Sequence, residues 1–548
     1  MMRKYFIFVF FLVTEMNAQE FLTPLISNPI LFKQQLLTNT DKSVINLPFF
    51  DDFSYNKSIV DSNLWMKSSV FVNRTYPINP PTIGVATFDG MDEKGLARDF
   101  SSNISEPSDT LLSKPIDMSG LTSVYFMFYF QGKGIGDSPQ LQDRLILEFL
   151  RDSVWEQKWF SNGQDMLEFQ KEVIIIDSVH YLTNNFQFRF RNYATISGNF
   201  DHWHIDYVKI DEFLNPSDTI ELNDVSFVYK SPSFLKRYSE MPWTHFLNNE
   251  SLELKDSIDI HIRNNHASIN VDFQYNIFEN NNQIFHYPII GVSRNVTVLD
   301  YDTIGNFLFS DPPLEIQQNL FNSFQIDSAT FNVQNIIGTA SSDNKSNDTL
   351  YHDQNFFSHF AYDDGTSEFA YGLNVIGAKI AYEFKLNRPD TLRAVQMYFP
   401  QMLDTVSDIP FKLTVWDHIN GSGNVIYQQE EYPVHTENGK YHTYFIKEPF
   451  KIVGTFYIGW EQATDDLLNI GLDKNNKANN YMFYNVGGGW NTSAYEGSWM
   501  IRPILSMSEI VSNVLNNKLK FKVFPNPVES ELFIETSNQY SIISIYSL

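Results

Sequence analysis

Three carboxylates fall within six residues, beside a glycine, in the segment Asp363-Asp364-Gly365-Thr366-Ser367-Glu368. Ca²⁺ binds mainly carboxylate and carbonyl oxygens, so Asp363, Asp364 and Glu368 are candidate calcium ligands. The segment does not have the spacing of an EF-hand loop, because no acidic residue stands at the twelfth position counted from Asp363. A solvated acidic turn is therefore the competing interpretation.

A second segment, Asp201-His202-Trp203-His204-Ile205-Asp206, alternates imidazole and carboxylate side chains. On a strand, His202, His204 and Asp206 would share one face, and this combination of ligands suits Zn²⁺. Histidines two residues apart also occur freely in strands. A purely structural role for this strand therefore competes with a transition-metal site.

Aromatic side chains follow three consecutive glycines near the end of the chain, Gly487-Gly488-Gly489. Flat rings next to flexible backbone suit stacking against sugars, which makes Trp490, Tyr495 and Trp499 candidate ligand-binding residues. The same residue types also form hairpin turns between core strands. The segment therefore predicts either a glycan-binding surface or an ordinary hairpin.

The sequence contains none of the motifs that mark common catalytic sites. There is no Gly-x-Ser-x-Gly elbow, no His-Glu-x-x-His pair, no P-loop and no dinucleotide-binding glycine pattern. A glycosidase needs only two suitably spaced carboxylates, and so acidic a chain offers many pairs without singling one out. We therefore expect no catalytic residue, with an unrecognised hydrolase site as the alternative.

The charge and the residue composition exclude several classes of protein. The chain has 39 basic and 65 acidic residues, and its formal net charge of −26 repels nucleic acid and anionic lipid. The absence of cysteine excludes disulfides, thiol nucleophiles and cysteine-bound metals. Stability must come from burial, for which 43% hydrophobic and 16% aromatic residues are ample.

Strands are the elements that must position these side chains, because nearly every periodic segment alternates with period two. Phe186, Phe188 and Phe190 would share one face of a strand, while polar residues occupy the other face. The same alternation occurs at 258–262, 271–277 and 411–415. With turn residues between such segments, the pattern predicts an all-β chain of tandem antiparallel β-sandwiches.

The first sandwich resembles the jelly-roll modules of the MAM and cleaved-adhesin type found in extracellular proteins. The resemblance rests on Asp52-Phe53-Ser54 and Trp65 near its start and on Ile205-Asp206-Tyr207-Val208 in its last strand. Acidic residues at the matching positions of that family hold a structural calcium ion, which implies Asp52 and Asp206 as ligands here. The alternative is that both carboxylates only accept hydrogen bonds from backbone amides at turns.

The C-terminal segment resembles the start of the type IX secretion sorting domain of Bacteroidetes. A turn at Pro525, Asn526 and Pro527 follows a short apolar strand, and further alternating apolar strands follow the turn. The resemblance implies that the type IX secretion machinery reads this motif. That family's later strands would follow Leu548, so a partial sorting domain is expected; an ordinary strand-turn-strand is the alternative.

The N-terminal segment has the pattern of a signal peptide. Arg3 and Lys4 precede the apolar run Tyr5–Val13, and Ala18 supplies a small residue for cleavage before Gln19. The run is too short to cross a bilayer, and no other stretch approaches the roughly 18 apolar residues that a spanning helix needs. We therefore expect export without a transmembrane segment.

Polar and proline-containing stretches, among them 341–348, divide the chain into segments. The opening of the third domain, an Asp-Asp pair after aromatic residues, matches that of the first and favours a second jelly roll. The predicted organisation is a signal peptide at 1–18, a loose lead-in at 19–40, a jelly roll at 41–213, an immunoglobulin-like β-sandwich at 218–350, a second jelly roll at 351–506, a linker at 507–520 and the partial sorting domain at 521–548.

A short triplet, Asp followed by Ser or Thr and then an aliphatic residue, recurs ten times along the chain. Average composition predicts roughly two copies. The triplet resembles the O-glycosylation site of Bacteroidetes proteins that pass through the periplasm, although Asp-Ser/Thr also ends turns before strands. The copies begin at Asp109, Asp152, Asp177, Asp218, Asp256, Asp302, Asp327, Asp348, Asp390 and Asp404.

These observations predict a secreted or cell-surface multidomain binding or adhesion protein without catalytic activity. Its expected partners are the type IX secretion machinery and a glycan or a surface protein, and calcium is its expected structural cofactor. One alternative is an extracellular hydrolase of polysaccharide or protein. Another is an accessory component of the secretion or gliding apparatus.

Overall fold

The computed structural model describes residues 20–28, 30–31, 42–166, 168–213, 224–258, 260–265, 269–288, 294–298, 308–309, 314–315, 321, 327–339, 343–401, 409–436, 440–505, 521–524 and 533–536. The predicted signal peptide, the linker at 507–520 and the motif at Pro525, Asn526 and Pro527 lie outside these residues. Residues 1–505 and 506–548 form two separate units.

The first sandwich consists of two antiparallel sheets. One has the strand order β11-β10-β13-β7-β4 and the other β12-β9-β14-β6-β5, with β3 also paired to β14 and β2 paired in parallel to β8. Its strands are β2 (Ile45–Asn46), β3 (Phe49–Asp51), β4 (Trp65–Ser68), β5 (Phe71–Asn73), β6 (Val85–Phe88), β7 (Ser105–Ser113), β8 (Ile116–Asp117), β9 (Val124–Gly132), β10 (Arg144–Arg151), β11 (Val154–Asn162), β12 (Gln170–Ile176), β13 (Phe188–Thr195) and β14 (Trp203–Glu212).

Phenylalanines from both sheets form the core of the first sandwich. Phe126 and Phe128 of β9 meet Phe188 and Phe190 of β13, with ring centroids 4.7 and 5.0 Å apart. Along β13, buried and half-buried residues alternate, which confirms the predicted period-two pattern.

The second sandwich contains short sheets and two one-turn helices. Its sheets have the orders β15-β17-β21, β16-β22 and β19-β18-β23-β24, with β20 also paired to β18. The elements are β15 (Val225–Phe227), α1 (Trp243–Phe246), α2 (Glu250–Glu253), β16 (Ser257–Ile258), β17 (His261–Asn264), β18 (Ile269–Glu279), β19 (Asn282–Tyr287), β20 (Arg294–Val298), β21 (Leu308–Phe309), β22 (Leu314–Glu315), β23 (Ala329–Gly338) and β24 (Thr349–Phe356). Strand β24 crosses the predicted boundary at Leu350, because it completes a ladder with β23.

The third sandwich has the sheet orders β29-β28-β31-β26-β33-β34, β30-β27-β36 and β1-β25-β32-β35. A single 3₁₀ turn, Asn479–Tyr481, precedes β33. The strands are β1 (Glu20–Pro24), β25 (Phe369–Leu373), β26 (Lys379–Lys385), β27 (Asp390–Met397), β28 (Phe411–His418), β29 (Asn424–Glu431), β30 (His442–Ile452), β31 (Thr455–Gln462), β32 (Ile470–Asp473), β33 (Met482–Asn485), β34 (Asn491–Thr492), β35 (Ser498–Trp499) and β36 (Ile501–Leu505).

Strand β1 corrects the prediction that residues 19–40 begin as a loose lead-in. It pairs antiparallel with β25, with Glu20 opposite Leu373 and Pro24 opposite Phe369. The start of the chain thus completes a sheet whose other strands lie more than three hundred residues later. A partner so distant in sequence leaves no local pattern to predict it.

The predicted all-β class is confirmed, since the described helical elements are only single turns. The first sandwich has its own apolar core, whereas one continuous core runs through the second and third. None of the described helices has the length and apolar character to cross a membrane. In the C-terminal unit, β37 (Phe521–Phe524) pairs antiparallel with β38 (Phe533–Thr536), as expected for strands on either side of a turn.

Candidate functional site

A groove open to solvent is lined by residues of all three sandwiches and by the segment that follows β1. It consists of two adjoining depressions, which share Ile30, Phe71, Thr75 and Thr366. Of the segments singled out in the sequence, 363–368 contributes Thr366, Ser367 and Glu368 to this groove, and its other walls come from segments far apart in the chain.

Aromatic and hydrogen-bonding side chains line the groove together. The rings of Phe71, Tyr76 and Tyr398 are buried beneath it, each residue being 5% exposed. Asn56 and Lys57 are exposed on its rim. Further lining residues with polar side chains are Asn28, Tyr55, Ser58, Asn73, Arg74, Lys230, Ser367 and Glu368.

The predicted calcium loop at 363–368 is a hydrogen-bonded turn that is only partly solvated, because Asp363 and Glu368 are buried whereas Gly365 is exposed. Asp363 is fully buried, and Arg502 Nη2 donates to its Oδ1 at 2.5 Å. Lys230 Nζ lies 3.0 Å from Asp364 Oδ2. Two of the three candidate ligands therefore already have a cationic partner, which favours ion pairs over calcium here. The third, Glu368, accepts a hydrogen bond from the Lys474 backbone N at 2.9 Å.

Glu368 and Asp364 are neighbouring carboxyl groups with opposite electrostatic environments. Burial, reinforced by the charge of Asp364, raises the pKa of Glu368 to about 7. Burial also opposes ionisation of Asp364, but the ammonium of Lys230 and hydrogen bonds from Thr366 outweigh it and lower the pKa of Asp364. A groove residue that is protonated near neutral pH beside an ionised carboxylate has the properties of an acid–base pair.

The structure places Asp52 and Asp206 next to each other, 154 residues apart in sequence. The Thr82 hydroxyl lies 3.1 Å from Asp206 Oδ1 and 3.0 Å from the carbonyl oxygen of Asp52. The Thr82 backbone N also donates to Asp206 Oδ2 at 2.9 Å. Burial raises the pKa of Asp206 well above its usual range, and the charge of Asp52 adds to this effect, although the bonds from Thr82 oppose it.

Residues of the second sandwich, which the sequence analysis missed, complete this acidic cluster. Asn347 Nδ2 lies 2.9 Å from Asp224 Oδ2 and 3.2 Å from Asp52 Oδ2. Asp224 Oδ1 and Asn347 Oδ1 are buried and have no hydrogen-bond partner in the described parts of the chain. Burial and the nearby Asp343 raise the pKa of Asp224 well above its usual range. In the sequence, the polar stretch 341–348 is the signal nearest to these residues, and it predicts a domain boundary, not a binding site.

These residues fit calcium only as a mixed set of ligands. In the described parts of the chain, no three imidazole or carboxylate groups form a ready-made metal site. Calcium would therefore need the amide oxygen of Asn347 in addition to the carboxylates of Asp52 and Asp224. Ca²⁺ accepts such combinations of carboxylate and amide oxygens, and the unpartnered oxygens of Asp224 and Asn347 are the observation that supports this fit.

The His-x-His segment is a structural part of β14, not a set of free ligands. The Asp137 backbone N donates to His202 Nδ1 at 2.9 Å, and His204 bonds Thr87 Oγ1 at 2.8 Å and the Lys133 carbonyl oxygen at 3.2 Å. Burial lowers the pKa of His202 to about 3 and that of His204 to about 4. Both rings are therefore neutral, and three of their four nitrogens already have partners.

The three aromatic candidates occupy different environments. Trp499 is fully buried and packs against Tyr371 with ring centroids 4.8 Å apart, so it presents no face to a sugar. Tyr495 is half-buried, and its hydroxyl donates to the carbonyl oxygen of Glu20 at 3.3 Å. Trp490 is half-buried against Trp416, next to the exposed glycines. Only Trp490 and Tyr495 therefore remain as possible ligand contacts.

Comparison with known proteins gives little further information. No protein family and no curated protein matches the chain. One similar solved structure is the N-terminal CBM22-1-CBM22-2 tandem domain from Paenibacillus barcinonensis Xyn10C, with 6% identity and a TM-score of 0.19 over 79% of this chain and 99% of that one. Another is a cycloisomaltooligosaccharide glucanotransferase of Paenibacillus sp. complexed with cycloisomaltoheptaose, with 9% identity and a TM-score of 0.17 over 77% of this chain and 47% of that one. TM-scores this low carry no argument about fold or function.

Proposed function

We propose that this chain is a secreted or cell-surface β-sandwich protein that binds a glycan in the groove. The observation that carries this proposal is the groove itself, where the exposed Asn56 and Lys57 stand beside further hydrogen-bonding side chains, above buried aromatic rings. Sugars present apolar faces and hydroxyl groups together, so they match a site of this composition. Neither a catalytic residue nor a metal ion is needed for such binding.

Export of the chain by a Sec-type signal and then by type IX secretion is part of the same proposal. It is supported by the sequence patterns at the two ends and is compatible with the hairpin of β37 and β38. Among the Asp-Ser/Thr triplets, the one at Asp152 stands at an exposed turn between β10 and β11. Ser153 is thus accessible to a glycosylating enzyme.

A titration of immobilised glycans with the full chain tests the binding site. The double variant Asn56→Ala, Lys57→Ala should weaken binding about tenfold, because it removes exposed rim contacts without disturbing a core. Lys477→Ala, an exposed lysine elsewhere on the third sandwich, is the matched control and should bind normally. Loss of binding in Trp490→Ala, with the rim variant unaffected, would instead move the site to the glycine-rich hairpin.

A second candidate function, hydrolysis of polysaccharide, is favoured by one observation. Glu368 lines the groove with its pKa raised to about 7 by burial, beside the ionised Asp364. Glycoside hydrolases use a protonated carboxylic acid together with a carboxylate. In this function, Glu368 would be the acid that protonates the leaving oxygen.

Incubation of the full chain with bacterial and plant polysaccharides separates the two functions. Release of reducing ends by the wild type, and loss of this release in Glu368→Gln, would establish the hydrolase and refute simple binding. Glu496→Gln, an exposed carboxylate paired with Lys477, is the control. Binding without any release of product supports the first proposal.

A further inference from the structure

A second cluster of carboxyl groups shares no residue with the groove or with the cluster around Asp52. Asp137 and Asp143 lie in the loop between β9 and β10, and Asp201 immediately precedes β14. Asp143 and Asp201 are both fully buried, while Asp137 is half-buried. Asp201, the first residue of the segment that also contains His202 and His204, therefore belongs to this cluster. The two histidines, which suggested a zinc site, do not.

Gln140, an exposed residue, connects the buried carboxylates. Its backbone N donates to Asp143 Oδ2 at 2.6 Å, and its side-chain Nε2 donates to Asp201 Oδ1 at 2.8 Å. The same Nε2 lies 2.6 Å from the carbonyl oxygen of Ser138. One amide NH₂ group thus stands among oxygen atoms from two separate parts of the chain.

One carboxylate oxygen of this cluster has no hydrogen-bond partner among the described residues. Asp143 Oδ1 is buried and has no hydrogen-bond partner, although the residue is fully enclosed. Burial raises the pKa of Asp201 to about 7, with further contributions from the charges of Asp143 and Asp137. The charge of Lys133 acts on Asp137, although its ammonium contacts the exposed Asp165 at 2.8 Å. A buried carboxylate without a counter-charge is costly, so it calls for a cation.

The Gln140 amide stands beside Asp201 Oδ1 and the Ser138 carbonyl oxygen, in the place of a ligand to a cation. An amide side chain can rotate by 180° and exchange its NH₂ group for its oxygen, and Gln140 is at the surface, where such rotation is unhindered. After rotation, its Oε1 would face the same position as Asp201 Oδ1 and the Ser138 carbonyl oxygen. Asp143 Oδ1 supplies a further oxygen that has no other partner.

We propose that Asp143 and Asp201, with the Ser138 carbonyl and the Gln140 amide oxygen, bind a calcium ion in the first sandwich. All these ligands are hard oxygen atoms, which excludes a preference for zinc. Ca²⁺ tolerates irregular geometry and completes its shell of six to eight oxygens with water, whereas Mg²⁺ demands a regular octahedron. The ion would fasten the loop after β9 to the start of β14.

Calorimetric titration of the full chain with CaCl₂, with MgCl₂ for comparison, tests the site. Asp143→Asn should bind one calcium ion fewer per chain than the control Asp165→Asn, whose exposed carboxylate stands between β11 and β12 and pairs with Lys133. Asp224→Asn, which affects only the cluster around Asp52, should leave this ion in place. Equal calcium binding by Asp143→Asn and Asp165→Asn would overturn the proposal.

Thermal melting with calcium and with EGTA gives a second, independent measurement. In calcium, Asp143→Asn should have a lower melting temperature than the wild type, because the variant loses the bound ion. In EGTA its melting temperature should not fall below that of the wild type, because neither protein has an ion to lose. An equal loss of melting temperature in both conditions would show a purely structural carboxylate and refute the site. Gln140→Ala, which changes an exposed side chain, should fold normally and weaken calcium binding several-fold; unchanged affinity would also contradict the proposed ligand set.

Discussion

Arg502 shows how this acidic chain keeps a carboxylate buried. Its guanidinium contacts both carboxylate oxygens of Asp363 and lies 4.4 Å from the ring centre of Tyr441. The Tyr441 hydroxyl also bonds Asp363. Asp363 therefore has no unpaired charge, and it holds the turn at 363–368 against β36, the strand that carries Arg502.

Arg502→Met should lower the free energy of unfolding by about 3–5 kcal/mol, because it leaves a fully buried carboxylate without its counter-charge. Guanidinium chloride denaturation measures this change. Lys477→Met, which breaks an exposed pair with Glu496, is the matched control and should cost less than about 1 kcal/mol. Similar losses in the two variants would mean that the buried pair contributes no more than a surface pair.

Glu368 should make the stability of the chain depend on pH. Its pKa is raised from 4.5 to about 7 by burial, so the folded state binds this proton more tightly than the unfolded state does. Stability from this group is therefore fully present below pH 4.5 and is lost as the pH rises towards 7, by roughly 3 kcal/mol at most.

Glu368→Gln should remove this dependence. The variant should exceed the wild type in stability above pH 7 and equal it near pH 4.5, as measured by denaturation at a series of pH values. Glu496→Gln, with its exposed carboxylate, should follow the wild-type curve closely. Parallel curves for the wild type and Glu368→Gln would contradict the raised pKa.

Among the elements, β1 is held to the third sandwich by backbone pairing with β25 and by the side chain of its first residue, Glu20. Glu20 accepts a hydrogen bond from the buried Tyr371 hydroxyl at 2.8 Å and another from the Ala494 backbone N at 3.0 Å. Glu20→Ala should destabilise the third sandwich by about 2 kcal/mol or more, because both donors lose their partner.

Hydrogen exchange of the β1 and β25 amides, together with thermal melting, measures this effect. The control Glu93→Ala changes an exposed glutamate and should alter neither. Faster exchange confined to β1 and β25 would show that the strand opens locally. Unchanged exchange in Glu20→Ala would show that backbone pairing alone holds β1 in place.

The cluster around Asp52 lies where the start of the first sandwich meets β15 and the polar stretch before β24. Asp206 accepts two bonds from Thr82, so its replacement should lower stability with or without metal. Asp224→Asn is the sharper test, because Asp224 Oδ1 accepts no hydrogen bond from the residues that the structure describes. It should remove the stabilisation by calcium, about 2.7 kcal/mol at a hundredfold excess over the dissociation constant, while changing little in EGTA.

Differential scanning calorimetry in calcium and in EGTA measures the difference between Asp224→Asn and the wild type. Asp61→Asn, at a more exposed turn of the first sandwich, is the control. If the wild type melts at the same temperature in both conditions, the carboxylates around Asp52 act only as hydrogen-bond acceptors.

At the scale of the whole molecule, the proposed export predicts where the chain is found. We expect the mature chain to begin at Gln19 and to be recovered from the medium or the cell surface. N-terminal sequencing and cell fractionation check this outcome. A deletion variant that lacks only the C-terminal 28 residues tests the sorting signal. A chain that keeps Met1 and stays in the cytoplasm would contradict export.

Local properties of the sequence were sufficient to predict the all-β class. Alternation such as that of Phe188 and Phe190 reports which face of a strand is buried, and this depends only on neighbouring residues. The meeting of Asp52 with Asp206 followed from a family resemblance. Signal peptide, linker and sorting motif stay predictions, because they lie outside the described residues.

Only the tertiary structure decided which distant segments meet. It made a strand of Glu20–Pro24, paired Asp363 with Arg502, enclosed Trp499 and assembled the groove from all three sandwiches. The physical reason is that burial and charge compensation depend on which faces pack together, and residues hundreds of positions apart leave no periodic signal of that choice. An acidic residue looks the same in sequence whether it binds an arginine, a calcium ion or water.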